Sequence, residues 1–271
     1  MTVQVEEIAS TDQTLYFCER LGIEFGHGST KRAILEDIGF SVRRGEFVSV
    51  LGPSGTGKTT LLRALGGLVA PTAGSAVTFD GSPVKAPPNG VVIVFQNYTA
   101  SLLPWRTVEQ NVGLGLERTT NKKERAARVK EVLDMVGLGE RAGDYPWRLS
   151  GGMQQRVQIA RALAMQPKVL LMDEPFGALD AMTKSQLQDE MARLSQVMDV
   201  TVIFVTHDIE EAVYLSDRIV VLNGTPARVT AEIEVDLPRP RNQITTKEMP
   251  EYLKLRHSVY AAIESGDSHA G

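Results

Sequence analysis

Strand-length apolar runs separated by glycine-rich or charged turns fill the first part of the chain. "LYFCERLGIEF" and "AILEDIGFSV" predict strands, and "GEFVSVLG" carries a third straight into a glycine-rich turn. In "KTTLLRALGGL" the leucines recur at helical spacing and stop at Gly66 and Gly67. "SAVTFD" and "GVVIVFQ" predict further strands, divided by the proline-rich link "SPVKAPPNG". Between Gln96 and Ser150 the pattern changes. "TVEQNVGLGLE" and "KKERAARVKEVLDMVGL" predict helices with no strand between them, and the stretch reads as a helical insertion. Beyond it, the apolar strands "KVLLMDE", "VTVIFVTHD" and "RIVVLN" alternate with the helices "LDAMTKSQLQDEMARLSQVM" and "IEEAVYLS". Such alternation predicts an α/β fold, a parallel sheet covered on both faces. From about Pro238 a tail holds "PRPRNQ" and then a helix around "EYLKLRHSVYAAIE".

With 271 residues the chain fits one large domain, or a core with an insertion. A formal net charge of -4 argues against a general nucleic-acid binder. The single cysteine, Cys18, allows no internal disulfide and suits a reducing compartment; a small buried side chain fits it better than a reactive thiol. The opening "MTVQVEEIAS" lacks the basic cluster and apolar core of a signal peptide. Runs such as "VVIVF" fall far short of the ~20 residues that cross a bilayer, so membrane involvement would come through a partner.

The first candidate chemistry is "GPSGTGKTT": Gly52, Pro53, Ser54, Gly55, Thr56, Gly57, Lys58, Thr59 and Thr60. It fits G-x-x-x-x-G-K-[ST] between a predicted strand and helix, a match that chance supplies in roughly one chain of this length per hundred. Its glycines turn backbone N–H groups inward onto phosphate oxygens, and the helix aims its positive end at them. Lys58 would reach the β- and γ-phosphates of ATP, and Thr59 would hold Mg²⁺. At the end of "KVLLMDEP", Asp173 can hold the Mg²⁺ shell while Glu174 orients or deprotonates a water. Alone these would be two solvated acids; the upstream loop tips the reading toward function. His207 alone would read as structural, but strand ends of a parallel sheet converge on one crevice, which brings it near Asp173. Gln96 ends another strand there, where its amide can coordinate Mg²⁺ or water.

"LSGGMQQRV" offers a second anion seat without a lysine. Ser150 is an N-cap for the helix whose buried stripe is Met153, Val157, Ala160 and Ala164, and Gly151 and Gly152 clear room for a close approach. The segment resembles the signature of ATP-binding cassette (ABC) ATPases, and the other motifs follow in that family's order over about residues 14 to 235. The resemblance implies a P-loop NTPase with a mainly parallel core sheet, an N-terminal antiparallel β subdomain and a helical insertion. The core would be 14–96 and 151–237, the helical subdomain 97–150, and the tail 238–271. It implies a head-to-tail pair of copies, in which Ser150, Gly151 and Gly152 of one copy close over the γ-phosphate held by the other. Asp180, in "GALD", would cross the interface, and doubles as a helix N-cap. Glu174, His207, Lys58 and Gln96 take catalytic roles, and Thr59, Gln96 and Asp173 hold Mg²⁺. Phe25 matches the aromatic that stacks on adenine, although Tyr is often found there and a core phenylalanine competes.

"NYTASLLPWRTVEQNV" and "MDEPFGALDAMT" are similar to importers of the nitrate, sulfonate and taurine type. That likeness implies an ATPase on the cytoplasmic face of the inner membrane, coupled to transport of a small anionic solute. Membrane-spanning permease subunits would dock near Leu102, Leu103 and Trp105, and an extracytoplasmic solute-binding protein would act indirectly; no nucleic acid is involved. Nitrate, sulfonate, taurine and a pyrimidine precursor all stay open as cargo. A soluble ABC machine acting on nucleic acid would be expected to show a second cassette, a long coiled coil or a basic arm. A non-hydrolysing regulator would not need Glu174, His207 and Gln96, and a P-loop kinase would leave the signature unexplained.

Overall fold

The strands form two separate sheets in the computed structural model, which describes residues 13–26, 30–72, 74–177 and 179–267, and Phe47–Leu51 and Val91–Val94 from before the insertion join the later strands in one of them. The stretch read for signal-peptide character lies wholly outside these residues, as do residues 27–29 in the loop after Phe25, the alanine of "GALD" and the tail's last four residues. In chain order come β1 (Thr14–Phe25), β2 (Arg32–Arg43), β3 (Phe47–Leu51), α1 (Lys58–Leu65), β4 (Ala76–Phe79), β5 (Ser82–Pro83) and β6 (Val91–Val94). The insertion holds α2 (Tyr98–Ser101), α3 (Val108–Val112) and α4 (Lys122–Met135). Then follow α5 (Gly151–Ala164), β7 (Val169–Asp173), α6 (Ala181–Val197), β8 (Thr201–Thr206), α7 (Ile209–Leu215), β9 (Arg218–Asn223), β10 (Arg228–Glu234) and α8 (Pro250–Asp267).

The core sheet has the order β10-β9-β3-β8-β7-β6, parallel throughout except for β10, and the second sheet is antiparallel with the order β2-β1-β4-β5. Successive side chains of a strand face opposite sides, and this period sorts the core into two layers. Phe47, Leu51, Leu170, Met172 and Phe204 face a layer shared with α3 to α7. Val48, Val50, Val169, Leu171, Ile203 and Val205 face α1 and the antiparallel sheet. Burial on both faces explains why these strands read as unbroken apolar runs. Cys18 belongs to the second layer; burial pushes its thiol up to about 12, which suits packing and not reactivity.

Three features depart from the sequence reading. "TVEQNVGLGLE" yields only the short α3 followed by a 3-10 turn over Gly113–Leu116. β10, an edge strand of alternating exposure, went unpredicted. Met153, expected on the buried stripe of α5, is half-buried, whereas Val157, Ala160 and Ala164 are fully covered. The tail closes over α7. Arg241 donates from one guanidinium nitrogen to the carbonyls of Tyr214 and Ser216, each at 2.8 Å, satisfying groups that a helix end leaves open. α8 packs on α7, β9 and β10, with Tyr252 and Val259 buried. Among the described residues no helix is long and apolar enough to cross a membrane.

Candidate functional site

Four neighbouring parallel strands deliver the candidate residues to one edge of the core sheet. β3 leads into the loop of Gly52 to Thr60, β8 into His207, β7 into Asp173 and Glu174, and β6 into Gln96. This convergence is the general consequence of parallel strands ending together.

The loop's shape follows from its glycines. A side chain at Gly52 would strike the carbonyl oxygen of Leu222 at 2.3 Å. Gly57 has φ +86°, the left-handed region that glycine enters without strain, and serves as N-cap of α1. No side chain caps that helix start and no acidic residue sits in its first turn, so its amides remain available to an anion. Pro53, Ser54 and Gly55 form the bend, tied by Thr56, whose hydroxyl donates to the Pro53 carbonyl at 2.8 Å. Lys58 is buried and donates to the carbonyls of Gly52 and Pro53, both at 2.8 Å. Burial draws its ammonium below the ordinary lysine range, against the pull of Glu174 and Asp173. Thr59 follows on the first turn of α1, and its hydroxyl donates to Oδ1 of Asp173 at 3.0 Å. Thr60 is half-buried beside it.

Glu174 is the meeting point. Its Oε2 accepts from Nε2 of Gln96 at 3.3 Å and stands 3.1 Å from Nδ1 of His207, while Oε1 lies 4.0 Å from the Lys58 ammonium. The residue adopts φ +42°, uncommon for a non-glycine, which marks a site held by its surroundings. Burial raises the Asp173 carboxyl above the usual range, the Thr59 hydrogen bond opposing it. Among the described residues no group of three or more His, Cys, Asp or Glu could hold a metal alone. The Thr59–Asp173 oxygen pair fits Mg²⁺ in another manner, since that ion takes one or two protein oxygens and completes its shell with phosphate and water.

The remaining candidates sit elsewhere on the chain. Ser150 caps α5, accepting from the Met153 amide at 3.4 Å, and Gly151 and Gly152 form the first turn. A Cβ on Gly152 would lie 2.2 Å from Cγ2 of Thr183, so the close approach there comes from α6 of the same chain. Asp180 caps α6; hydrogen bonds from Thr183 hold its carboxyl below the usual range. Neither Ser150 nor Asp180 shares a hydrogen bond or ion pair with the Lys58–Glu174 group among the described residues. Phe25, at the end of β1, is 48% exposed and so is not a core residue. Leu102 is 3% exposed inside the insertion's core, which removes it from any docking surface; Leu103 is half-buried and Trp105 is 71% exposed.

Two residues absent from the sequence reading fasten the Gln96 segment. On α5, Gln158 donates to the carbonyl of Phe95 at 2.9 Å and Arg161 to that of Ser101 at 2.7 Å. Polar residues on an otherwise apolar helix face were the available signal, and the stripe pattern alone passed over them.

Residues 35–177 match the family model described as ABC transporter. The chain is 46% identical over 236 residues to the nitrate import ATP-binding protein NrtC of Synechococcus elongatus, covering 86% of this chain and 35% of that protein. It thus spans about a third of that relative's length. To the nitrate transport protein NasD of Klebsiella oxytoca it is 42% identical over 240 residues, covering 87% of this chain and 90% of that one. The fold is similar to a dimeric, post-hydrolysis structure of the ATP-binding cassette MJ0796 bound to ADP and Pi. That match has a TM-score of 0.70 and 32% identity, over 82% of this chain and 99% of the other. A phosphate loop, a Mg²⁺-compatible oxygen pair and a tethered carboxylate on adjoining strand ends, in a chain so matched, place it in one group: it belongs to the ABC transporter family, as an ATP-binding cassette.

Proposed function

We propose that this cassette hydrolyses ATP as one of two head-to-tail copies, and that the cycle drives uptake of a small anion of the nitrate kind through membrane-spanning subunits. The observation that carries the reading is Glu174, a carboxylate held by Gln96 and His207 beside a buried lysine. The α1 amides and the Lys58 ammonium bind the β- and γ-phosphates. Thr59 and Asp173 hold Mg²⁺, which when bound offsets phosphate charge. Glu174 takes a proton from the attacking water as the water's oxygen bonds to the γ-phosphorus and the bond to the bridging oxygen breaks, giving ADP and phosphate. Gln96 orients that water, and His207 keeps the carboxylate aimed.

Ser150, Gly151 and Gly152 of the second copy grip the γ-phosphate from the far side, with Asp180 at the interface and Phe25 against the adenine. ATP then favours the closed pair because it touches both chains, and ADP does not. Leu103 and Trp105 supply the apolar contact for a short helix of the membrane-spanning subunit, which holds the cassette peripherally at the membrane. The dimeric neighbour structure and the nitrate-import relatives support this assembly and cargo.

The test is Glu174→Gln. Turnover should fall by on the order of 100-fold or more, while ATP affinity stays within about twofold. ATP should then shift the variant to a dimer on gel filtration. Normal hydrolysis would overturn the general-base assignment, and a variant that stays monomeric with ATP would overturn the paired site.

A further inference from the structure

The backbone on both sides of His207 is fastened by a network in which none of the motifs above lies. Asp208 caps α7, its Oδ1 accepting from the amides of Glu210 at 2.8 Å and Glu211 at 3.2 Å. Thr206 accepts from the Asp208 amide at 3.0 Å, and its hydroxyl donates to Oε2 of Glu211 at 2.5 Å. Glu211 is 4% exposed, and Thr206 is buried as well. Into this acidic pair comes Lys184, from the first turn of α6, with Nζ 2.7 Å from Oδ2 of Asp208 and 2.7 Å from Oε1 of Glu211. A buried carboxylate without a counter-charge is strongly unfavourable, so the geometry of residues 206–211 depends on that ammonium. His207 itself is half-exposed, and its Nδ1 lies 3.1 Å from Oε2 of Glu174. What aims its ring is therefore the chain on either side of it.

We propose that Lys184 is a positioning residue for hydrolysis: by neutralising Asp208 and Glu211 it fixes the segment that carries His207, and through it the aim of Glu174. The inference rests on the role proposed above for Glu174. The Lys184 amide makes only the helical bond to the Asp180 carbonyl, at 2.9 Å, while its side chain pairs with Asp208 and Glu211, through which it acts. Burial opposes its charge, yet the two carboxylates prevail and hold the ammonium above the ordinary lysine range.

Lys184→Met keeps the aliphatic stem and removes the charge. Steady-state ATPase assays on the full chain should show kcat reduced about tenfold or more, with KM for ATP within about twofold. Lys184→Arg should restore kcat to within about threefold of wild type. The deciding readout is a double-variant comparison by single turnover. In a His207→Ala background, Lys184→Met should change the rate by less than about twofold, because the residue it serves is gone. A kcat for Lys184→Met within twofold of wild type, failure of Lys184→Arg to rescue, or an undiminished loss in the His207→Ala background would each overturn the proposal. Should the Met variant fail to fold, Lys184→Gln is measured against the same expectations. All values are ratios to wild type, so a wild-type chain without ATPase activity would instead dismiss the proposed reaction.

Discussion

Gly152→Ala separates two explanations of the signature glycines. An added Cβ would stand 2.2 Å from Cγ2 of Thr183, whereas ordinary contact begins near 3.4 Å, so α5 and α6 must part or the Thr183 side chain must leave its position. Thr183 is half-buried, which leaves α6 some room to yield. Overpacking of this kind costs about 1–3 kcal/mol. In a chain of this size each kcal/mol lowers Tm by roughly 2–4 °C. The remedy is specific. Thr183→Ser deletes Cγ2 and keeps the hydroxyl, after which the next atom from an alanine Cβ is the residue-183 Cβ at 3.6 Å, an ordinary contact. Thermal unfolding followed by circular dichroism should therefore show a loss in Gly152→Ala and its recovery in the double variant, a coupling of about 1 kcal/mol or more. A single variant as stable as wild type, or a double variant no better than the single, would refute the packing explanation. ATPase assays on the same proteins divide the rest. If the double variant is stable but slow, Gly152 also clears space for a ligand of the partner copy; if activity returns with stability, the glycine serves only the α5–α6 contact.

Two further outcomes follow from the site's layout. Lys58→Ala should weaken ATP binding, while Ser150→Asp keeps a good N-cap but sets a negative charge where phosphate is expected. Each alone should be inactive. A mixture should regain on the order of a quarter of wild-type turnover, since half the pairs are mixed and each mixed pair holds one intact site; no recovery on mixing would count against shared sites. Trp105→Ala, at an exposed position, should leave stability within about 0.5 kcal/mol and isolated ATPase activity unchanged, yet abolish co-purification with the membrane-spanning subunit. Undiminished co-purification would move the docking surface elsewhere.

Strand ends and the glycine loop between β3 and α1 were legible because each leaves a local mark. Buried parallel strands are unbroken apolar runs, as in "VLLMD", and a loop that bends around phosphate needs glycine at fixed spacing. What escaped was non-local. β10 exists because β9 offers it an edge, and its half-polar alternation carries little weight without that neighbour. Leu102 and Trp105 sit three residues apart and look equally apolar, yet one fills the insertion's core and the other faces outward. Lys184 belongs to a helix face that reads as ordinary solvent-facing charge; only folding brings it to Asp208, Glu211 and their buried surroundings. The glycine pair was visible, but not that a methyl from α6 fills the space beside Gly152.

The tail bears on the order in which the molecule matures. α7, which begins two residues after His207, is closed at its C-terminal end by Arg241, and its Glu210 receives Lys247 and the Tyr252 hydroxyl. All three partners leave the ribosome after the segment they secure. The Gly52–Thr60 loop and its strands can assemble while synthesis continues, and α7 can pack on β3, β8 and α6, but the contacts at its C-terminal end and at Glu210 wait for residues encoded downstream. A nascent chain halted before Arg241 would thus carry Lys58, Asp173, Glu174 and His207 and still lack the outer bracing of the helix that follows the histidine, so the last stretch to be made braces a strand end already complete in sequence.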